Sequence, residues 1–335
     1  MSKSLRLMCI SLIAAGGCGL TFAIAGAGVT VAAPSVGGCT MFPANNVWNT
    51  PVDNLPVDLN SDQYVAAIGA TANAHADFGS STDPSVTIGI PFNIVPLTQT
   101  LVAIQYGAFG NESDPGPFPI PPDALVESGT DAHLLVLRQG DCKLFELYNA
   151  AKQLDNSWTA DSGAVFTLTV NGPLRQAGWT SADAAGLPML PGLARYDEVA
   201  SGAIYHALRF TSNTTKDAYI WPARHSAPFN ATATSPPMGQ RFRLKAGFAI
   251  DGRFSPQTTV ILQALKRYGM LLADNGASWY ISGAPDPGWD NAMLHELALY
   301  VKGSDFEAVD ESSLMVNANS GQVWGHAWLP DVMKP

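Results

Sequence analysis

The clearest alternation of apolar and polar positions in the chain lies at 131–150, DAHLLVLRQGDCKLFELYNA. Two strand-like runs meet at Gly140-Asp141, a pair that supplies the positive φ of a tight hairpin turn. With those two residues as the loop, Leu137 faces Leu144, Leu135 faces Glu146 and His133 faces Tyr148. Side chains alternate across a strand, so Asp131, His133, Leu135 and Leu137 share one surface with Leu144, Glu146 and Tyr148. That surface is apolar at the turn and carries Asp, His, Glu and Tyr at its far end. Such a gradient suits one wall of a binding cleft, and equally a hairpin whose polar end reaches solvent. A slip of one residue would move every one of these side chains to the opposite face.

The remaining pattern predicts short elements. Tyr64, Val65 and Ile68 form an apolar stripe behind Ser61, which predicts a capped helix over 62–68. Residues 86–101 alternate as strands broken at Pro91 and Pro96, and 102–106 and 164–170 read as further strands. The Pro- and Gly-rich stretch 111–123 is a surface loop. Residues 202–211 predict a strand with Ile204, His206, Leu208 and Phe210 on one face, and 218–221 its antiparallel neighbour. Residues 242–248 predict a strand beside which Arg241, Arg243 and Lys245 form the main positive patch. Ser255-Pro256 starts a helix that Gly269 stops. Strands at 270–273 and 279–281 flank Asp274-Asn275-Gly276, a strong hairpin-turn signal. Asp290 caps a helix running to about Tyr300. Residues 179–195 have no regular period, and their Leu, Met and Trp content places them beneath a sheet or at a cleft rim. The sum predicts a mainly β fold, a β-sandwich or jelly roll with two or three peripheral helices. With no repeat or low-complexity linker, 34–335 is read as a single β-rich domain.

Residues 1–33 read as a signal peptide. Lys3 and Arg6 precede a long uncharged run that ends in Val31-Ala32-Ala33. The run is longer than a usual signal core, so an uncleaved anchor is the alternative. The chain of 335 residues carries 18 basic and 28 acidic side chains, a net charge of −10. Removing Lys3 and Arg6 with the leader takes this to −12. That charge repels phosphate backbones and anionic lipid, so neither nucleic acid nor a membrane surface is an expected partner. Neutral polymers fit better. Of four cysteines, Cys9 and Cys18 fall in the leader, leaving Cys39 and Cys142 to form one disulfide in an exported chain. It would close a loop of about a hundred residues and contribute about 2–4 kcal/mol. Two buried thiols are the alternative.

Several reaction classes drop out because their motifs are missing. There is no G-x-S-x-G nucleophile turn. His295-Glu296 is followed by Leu299 where a zinc protease needs its second His. No C-x-x-C, G-x-x-x-x-G-K or G-x-G-x-x-G occurs, so no nucleotide or dinucleotide cofactor is expected.

What remains suits glycoside hydrolysis, which uses one carboxyl as acid and another as base or nucleophile. Glu146 is the first candidate, because desolvation among Leu135, Leu144 and Tyr148 would raise its pKa. Glu198, with Asp197, precedes a predicted strand and could sit at a cleft rim. Asp274 lies in a predicted turn, where Asp is common in any case. His206 sits on an apolar face, where a satisfied core histidine is the ordinary finding. His133 and His206, paired with Tyr148 or Tyr205 and with Arg209 or Arg224 to neutralise a uronate, would instead fit β-elimination by a polysaccharide lyase. Asp131, His133 and Glu146 also offer a loose set of three metal ligands, but no metal site is expected from them. Eight tryptophans, several in predicted loops (Trp158, Trp179, Trp289), add faces that stack on sugar rings.

Five longer stretches carry a resemblance: FPANNVWNTPVDNLPV (42–57), GWTSADAAGLPMLPGLARYDEV (178–199), HALRF (206–210), ILQALKRYGMLLADNG (261–276) and ISGAPDPGWDN (281–291). Together they resemble a family of largely uncharacterised exported bacterial proteins, over nearly the whole chain past the leader. The resemblance implies export and brings no catalytic residue with it. The expectation is therefore a secreted or periplasmic, monomeric, carbohydrate-active protein. Its leading form is a glycoside hydrolase acting on a neutral polysaccharide through a carboxylate pair that includes Glu146. A lyase with His/Tyr chemistry and a non-catalytic carbohydrate-binding or cell-envelope protein are the alternatives.

Overall fold

The computed structural model describes residues 33–83 and 86–324. All of the expected leader except Ala33, with Cys9 and Cys18, lies outside the described residues, as does Trp328. In chain order the strands and α-helices are β1 (Ser35–Val36), β2 (Cys39–Thr40), α1 (Ser61–Ile68), β3 (His75–Asp77), β4 (Phe92–Val95), β5 (Ile104–Tyr106), β6 (Leu134–Arg138), β7 (Lys143–Tyr148), β8 (Ala151–Lys152), β9 (Trp158–Ala160) and β10 (Ser162–Thr167). There follow α2 (Tyr196–Ser201), β11 (Leu208–Ser212), β12 (Arg241–Leu244), α3 (Pro256–Arg267), β13 (Met270–Asn275), β14 (Tyr280–Ser282), α4 (Asn291–Leu294), α5 (Glu296–Tyr300) and β15 (Phe306–Ala308). The fold is mainly β. A six-stranded sheet runs β15-β12-β13-β11-β14-β3 and a four-stranded sheet runs β10-β7-β6-β4. A three-stranded sheet (β5-β9-β8) and the β1-β2 ribbon complete it. No helix among the described residues is long and apolar enough to cross a membrane.

The central hairpin has the expected register: Leu137 pairs with Leu144 and Leu135 with Glu146. The sheet it belongs to is buried on both faces, which is why 134–137 reads as an unbroken apolar run. Leu135, Leu137 and Leu144 join the main core, and Leu134, Val136, Phe145 and Leu147 face a second core with Phe118 and Trp158. Cys39 and Cys142 are bonded across 103 positions, tying the β1-β2 ribbon to the hairpin turn. This cross-link is compatible with an oxidising, exported location.

In the six-stranded sheet several expectations change. β13 and β14 do not form a hairpin, because β11 lies between them, parallel to β13 and antiparallel to β14. The Asp-Asn-Gly signal reports a local turn but not which strands pair. β11 begins at Leu208, and 196–201 form α2 in place of a strand entry. Residues 218–221 contribute one isolated bridge, Tyr219 to Met238, and are not the neighbour of β11. The expected positive patch is absent. Arg241 and Arg243 are buried and paired with Glu311 (2.7 Å) and Glu307 (2.9 Å). Ser61 is the first residue of α1, and its hydroxyl accepts the N–H of Ala308 (2.9 Å) instead of capping the helix. α3 starts as read, with the Ser255 hydroxyl accepting from the Thr258 N–H. The helix expected from Asp290 is two short pieces, α4 and α5, although Asp290 caps the first.

Both larger sheets mix orientations. β4 pairs with β6, β11 with β13, and β14 with β3 in parallel, whereas a jelly roll is built from antiparallel strands.

Candidate active site beneath the 178–194 loop

The aperiodic segment 178–194 is a buried layer stitched to both larger sheets. On one side the Ser162 hydroxyl donates to the Ser181 carbonyl (2.6 Å), and His133 Nε2 meets the Ala182 carbonyl (3.0 Å). Glu146 Oε1 accepts the N–H groups of Met189 (2.9 Å) and Leu190 (3.0 Å). On the other side the Ala185 N–H donates to the Ala273 carbonyl (2.9 Å), and the Ala194 N–H to the Ser282 carbonyl (3.1 Å). The loop folds on its own Asp183, whose Oδ1 accepts the N–H groups of Ala185 and Leu187 (both 3.0 Å). Gly186 closes it at φ +70°. A Cβ there would stand 2.6 Å from the Trp179 carbonyl oxygen, so only glycine fits.

Arg209, from β11, is buried beneath this loop. Its guanidinium donates to the Ser282 hydroxyl (3.0 Å) and lies 3.5 Å from Asp183 and 3.7 Å from Asp274. A guanidinium removed from water needs such partners. Asp274 reaches it through a bulge. The β11/β13 register shifts between Phe210 and Thr211, so that Thr211 stands opposite Asp274 and not Ala273. The shift turns Asp274 to the face that carries Arg209, away from the Phe210–Trp279 stack of the core.

The four-stranded sheet supplies His133, one residue before β6. Its Nδ1 lies 2.5 Å from Glu127 Oε2, and its Nε2 meets the Ala182 carbonyl, so both nitrogens face acceptors, an arrangement that favours the protonated ring. Burial alone would lower its pKa, but the bond to Glu127 and that carboxylate's charge outweigh burial and hold it above the ordinary value. Tyr148 packs beside it, ring centroids 5.6 Å apart. Burial, followed by the charges of Asp131 and Asp274, raises the phenol's pKa.

The carboxyls of this cluster lean toward their neutral form. Burial pushes Asp183 up to about 7 against the pull of Arg209, and pushes Glu146 up to about 7 against the two backbone donors. Burial also raises Asp274, opposed by Arg209 and His133 and assisted by Asp131. Asp274 is the most open of the three, with 23 % of its side chain exposed; Glu146 and Asp183 are sealed. Around Asp274 the rim carries exposed Asp131 and Asp77, half-buried Glu127, and the tilted ring pair His75–Tyr280 (centroids 4.3 Å apart).

Four of the six sequence candidates, Glu146, His133, Tyr148 and Asp274, thus belong to one electrostatically linked cluster. Glu198, on α2 and not at a strand entry, forms a separate buried pair with His206 (3.0 Å) and also binds Arg195 (2.8 Å). Glu198 has its pKa lowered, because His206 and Arg195 outweigh its burial. Both His206 nitrogens are occupied, by Glu198 and the Ala207 carbonyl. Sequence reasoning named Arg209 only in passing and missed Asp183. The S-A-D-A-A-G string holds a usable signal, an Asp followed by small residues and Gly, which favours a side-chain-capped turn. Among the described residues, no group of three or more His, Cys, Asp or Glu side chains is arranged to hold a metal ion.

A cavity of about 550 Å³ opens on the other side of the same loop, lined in part by Trp48, Phe166, Arg175 and Trp179. Of the three tryptophans expected to be free in loops, only Trp179 lines it; Trp158 and Trp289 are buried in the core. Comparison with protein-family models, with curated proteins and with solved structures finds no match to this chain.

Proposed function

We propose that the chain is an exported, monomeric glycoside hydrolase of neutral polysaccharides. Its six- and four-stranded sheets would face one another as a sandwich across the 178–194 loop. Asp274 is the general acid and Asp131 the second carboxylate. The observation that carries this reading is Asp274 itself: a partly open carboxyl with a raised pKa, turned by a bulge toward Arg209 and His133. A glycosidic acid needs a carboxyl pKa above the ordinary range, and burial moves Asp274 in that direction. Asp131 is exposed beside it and contributes to the elevation, the arrangement expected of a carboxyl pair divided into acid and base. Arg209, His133 and Tyr148 are positioning residues. Glu146 holds the loop, since its carboxylate is sealed and bound to backbone N–H groups.

β-Elimination is the weaker reading. It needs a base to take a proton, and neither of the histidines the sequence offered for that role, His133 and His206, has a free nitrogen. The test is a reducing-end assay on a panel of neutral glucans, xylans and mannans, with unsaturated uronates followed by absorbance on pectate and alginate. Reducing ends without that absorbance, lowered about 10²–10⁴-fold in Asp274→Asn, support the reading. Unsaturated products, or no turnover of any neutral polymer, overturn it.

A further inference from the structure

We infer that the cavity beside Trp179 is a second carbohydrate site, built to hold a neutral polysaccharide chain away from Asp274. Its wall is prearranged. The Arg175 guanidinium lies 5.9 Å from the Phe166 ring and 5.8 Å from the Trp179 ring. All of the Arg175 nitrogens are occupied, by the carbonyls of Thr180 (2.6 Å) and Glu112 (2.8 Å) and by Asp114 Oδ2 (2.6 Å). The guanidinium therefore serves as a fixed spacer that orients two aromatic faces, not as a free cation seeking an anion. Trp179 remains half-buried at the cavity wall, with one apolar surface available for stacking.

The polar groups point to hydroxyl-rich, uncharged ligands. Asp114 and Arg175 neutralise one another, so the lining presents no net charge. Gln176, exposed at the cavity, makes no side-chain hydrogen bond among the described residues. A second hollow of about 430 Å³ adjoins across residues 170–173, which line both, and adds Asn317, Asn319 and Gln322. Gln322 is likewise free of side-chain hydrogen bonds among the described residues. Aromatic faces followed by a row of amides suit a run of sugar rings, stacking through their C–H faces and hydrogen-bonding through their hydroxyls. The hollow is more than a small monosaccharide needs and fits an oligomer. An anionic chain would meet a protein of net charge −10 with no free cation here to offset it.

This site shares the polysaccharide substrate of the preceding reading but none of its chemistry, so the two fail separately. The experiment is calorimetric titration of the full chain and of its Asp274→Asn variant with gluco-, xylo- and manno-hexasaccharides, and with a hexagalacturonate as the anionic comparator. At least one neutral hexasaccharide should bind both proteins equally, and the uronate should not bind. Trp179→Ala should weaken binding about three- to tenfold. Gln176→Ala, at an exposed position that does not endanger folding, should weaken it about two- to threefold. Absence of binding by every neutral hexasaccharide overturns the inference. So does uronate binding of equal strength, or wild-type affinity in Gln176→Ala together with a folded Trp179→Ala. Binding that follows Trp179 in a protein without hydrolytic activity would leave this site standing and remove the Asp274 mechanism.

Discussion

The two sides of the 178–194 loop solve opposite problems with the same stretch of chain. Toward the sheets the loop seals Arg209, Asp183 and Glu146 from water, and each charge has to be neutralised or protonated to stay there. Toward solvent the loop holds Trp179 against Arg175, which is itself satisfied by Asp114 and two carbonyls. The first side stores electrostatic free energy and leaves one carboxyl, Asp274, at its edge. The second stores almost none and offers shape. The difference teaches where each variant should register: in stability and turnover on the sheet side, in ligand affinity on the open side.

The contrast is sharpest at Arg209. Arg209→Met should destabilise the fold by about 3–5 kcal/mol in urea denaturation at pH 8, where Asp183 is ionised and loses its counter-ion in a sealed site. A loss below about 1 kcal/mol would mean the pair is not buried as an ion pair.

The pH response comes next. Asp183, Glu146 and Asp274 have folded-state pKa values above their unfolded ones, so the folded chain keeps protons that the unfolded chain has lost. Their stabilising contribution is full below about pH 4; it is lost as pH rises through about 7 for Asp183 and Glu146 and through its own raised pKa for Asp274, with a slope of at most about 1.4 kcal/mol per pH unit for each group. His133, also raised, acts in the same direction at higher pH. Glu198 and Asp141, both lowered, act the other way and only under more acidic conditions. The melting temperature should therefore peak near pH 5 and fall toward pH 8. A flat profile, or one that rises across this range, would contradict the buried cluster.

Smaller effects separate the two sides. Glu146→Gln should cost about 1–3 kcal/mol, since its new amide donor faces the N–H groups of Met189 and Leu190. Trp179→Ala should cost only about 0.5–1 kcal/mol, the loss of its contact with Arg175, as read by thermal melting. If Trp179→Ala proved the more damaging of the two, the open side would be the load-carrying one.

The β6–β7 hairpin was legible from sequence because a period of two and a Gly-Asp turn left one register in which the leucines meet. The start of α3 was legible for an equally local reason, and the Cys39–Cys142 bond because only two cysteines follow the leader. The placement of β11 between β13 and β14 was not, because parallel pairing leaves no turn signal and the Asp-Asn-Gly turn imitates a hairpin. The buried arginines were misread on the same ground. Arg241, Arg243 and Arg209 look like surface residues until the distant carboxylates that neutralise them are known. Three members of the candidate site, Glu146, His133 and Tyr148, came with the hairpin. The position of Asp274 depended on a one-residue bulge that no local pattern announces.

The most direct measurement is the rate of reducing-end release from a neutral polysaccharide substrate by the Asp274→Asn and Glu146→Gln variants, each checked for its melting temperature. Asp274→Asn is expected to lose about 10²–10⁴-fold in rate with its stability intact or improved. Glu146→Gln should lose stability first and keep measurable turnover. Wild-type rates in Asp274→Asn would contradict the assignment of Asp274 as the acid.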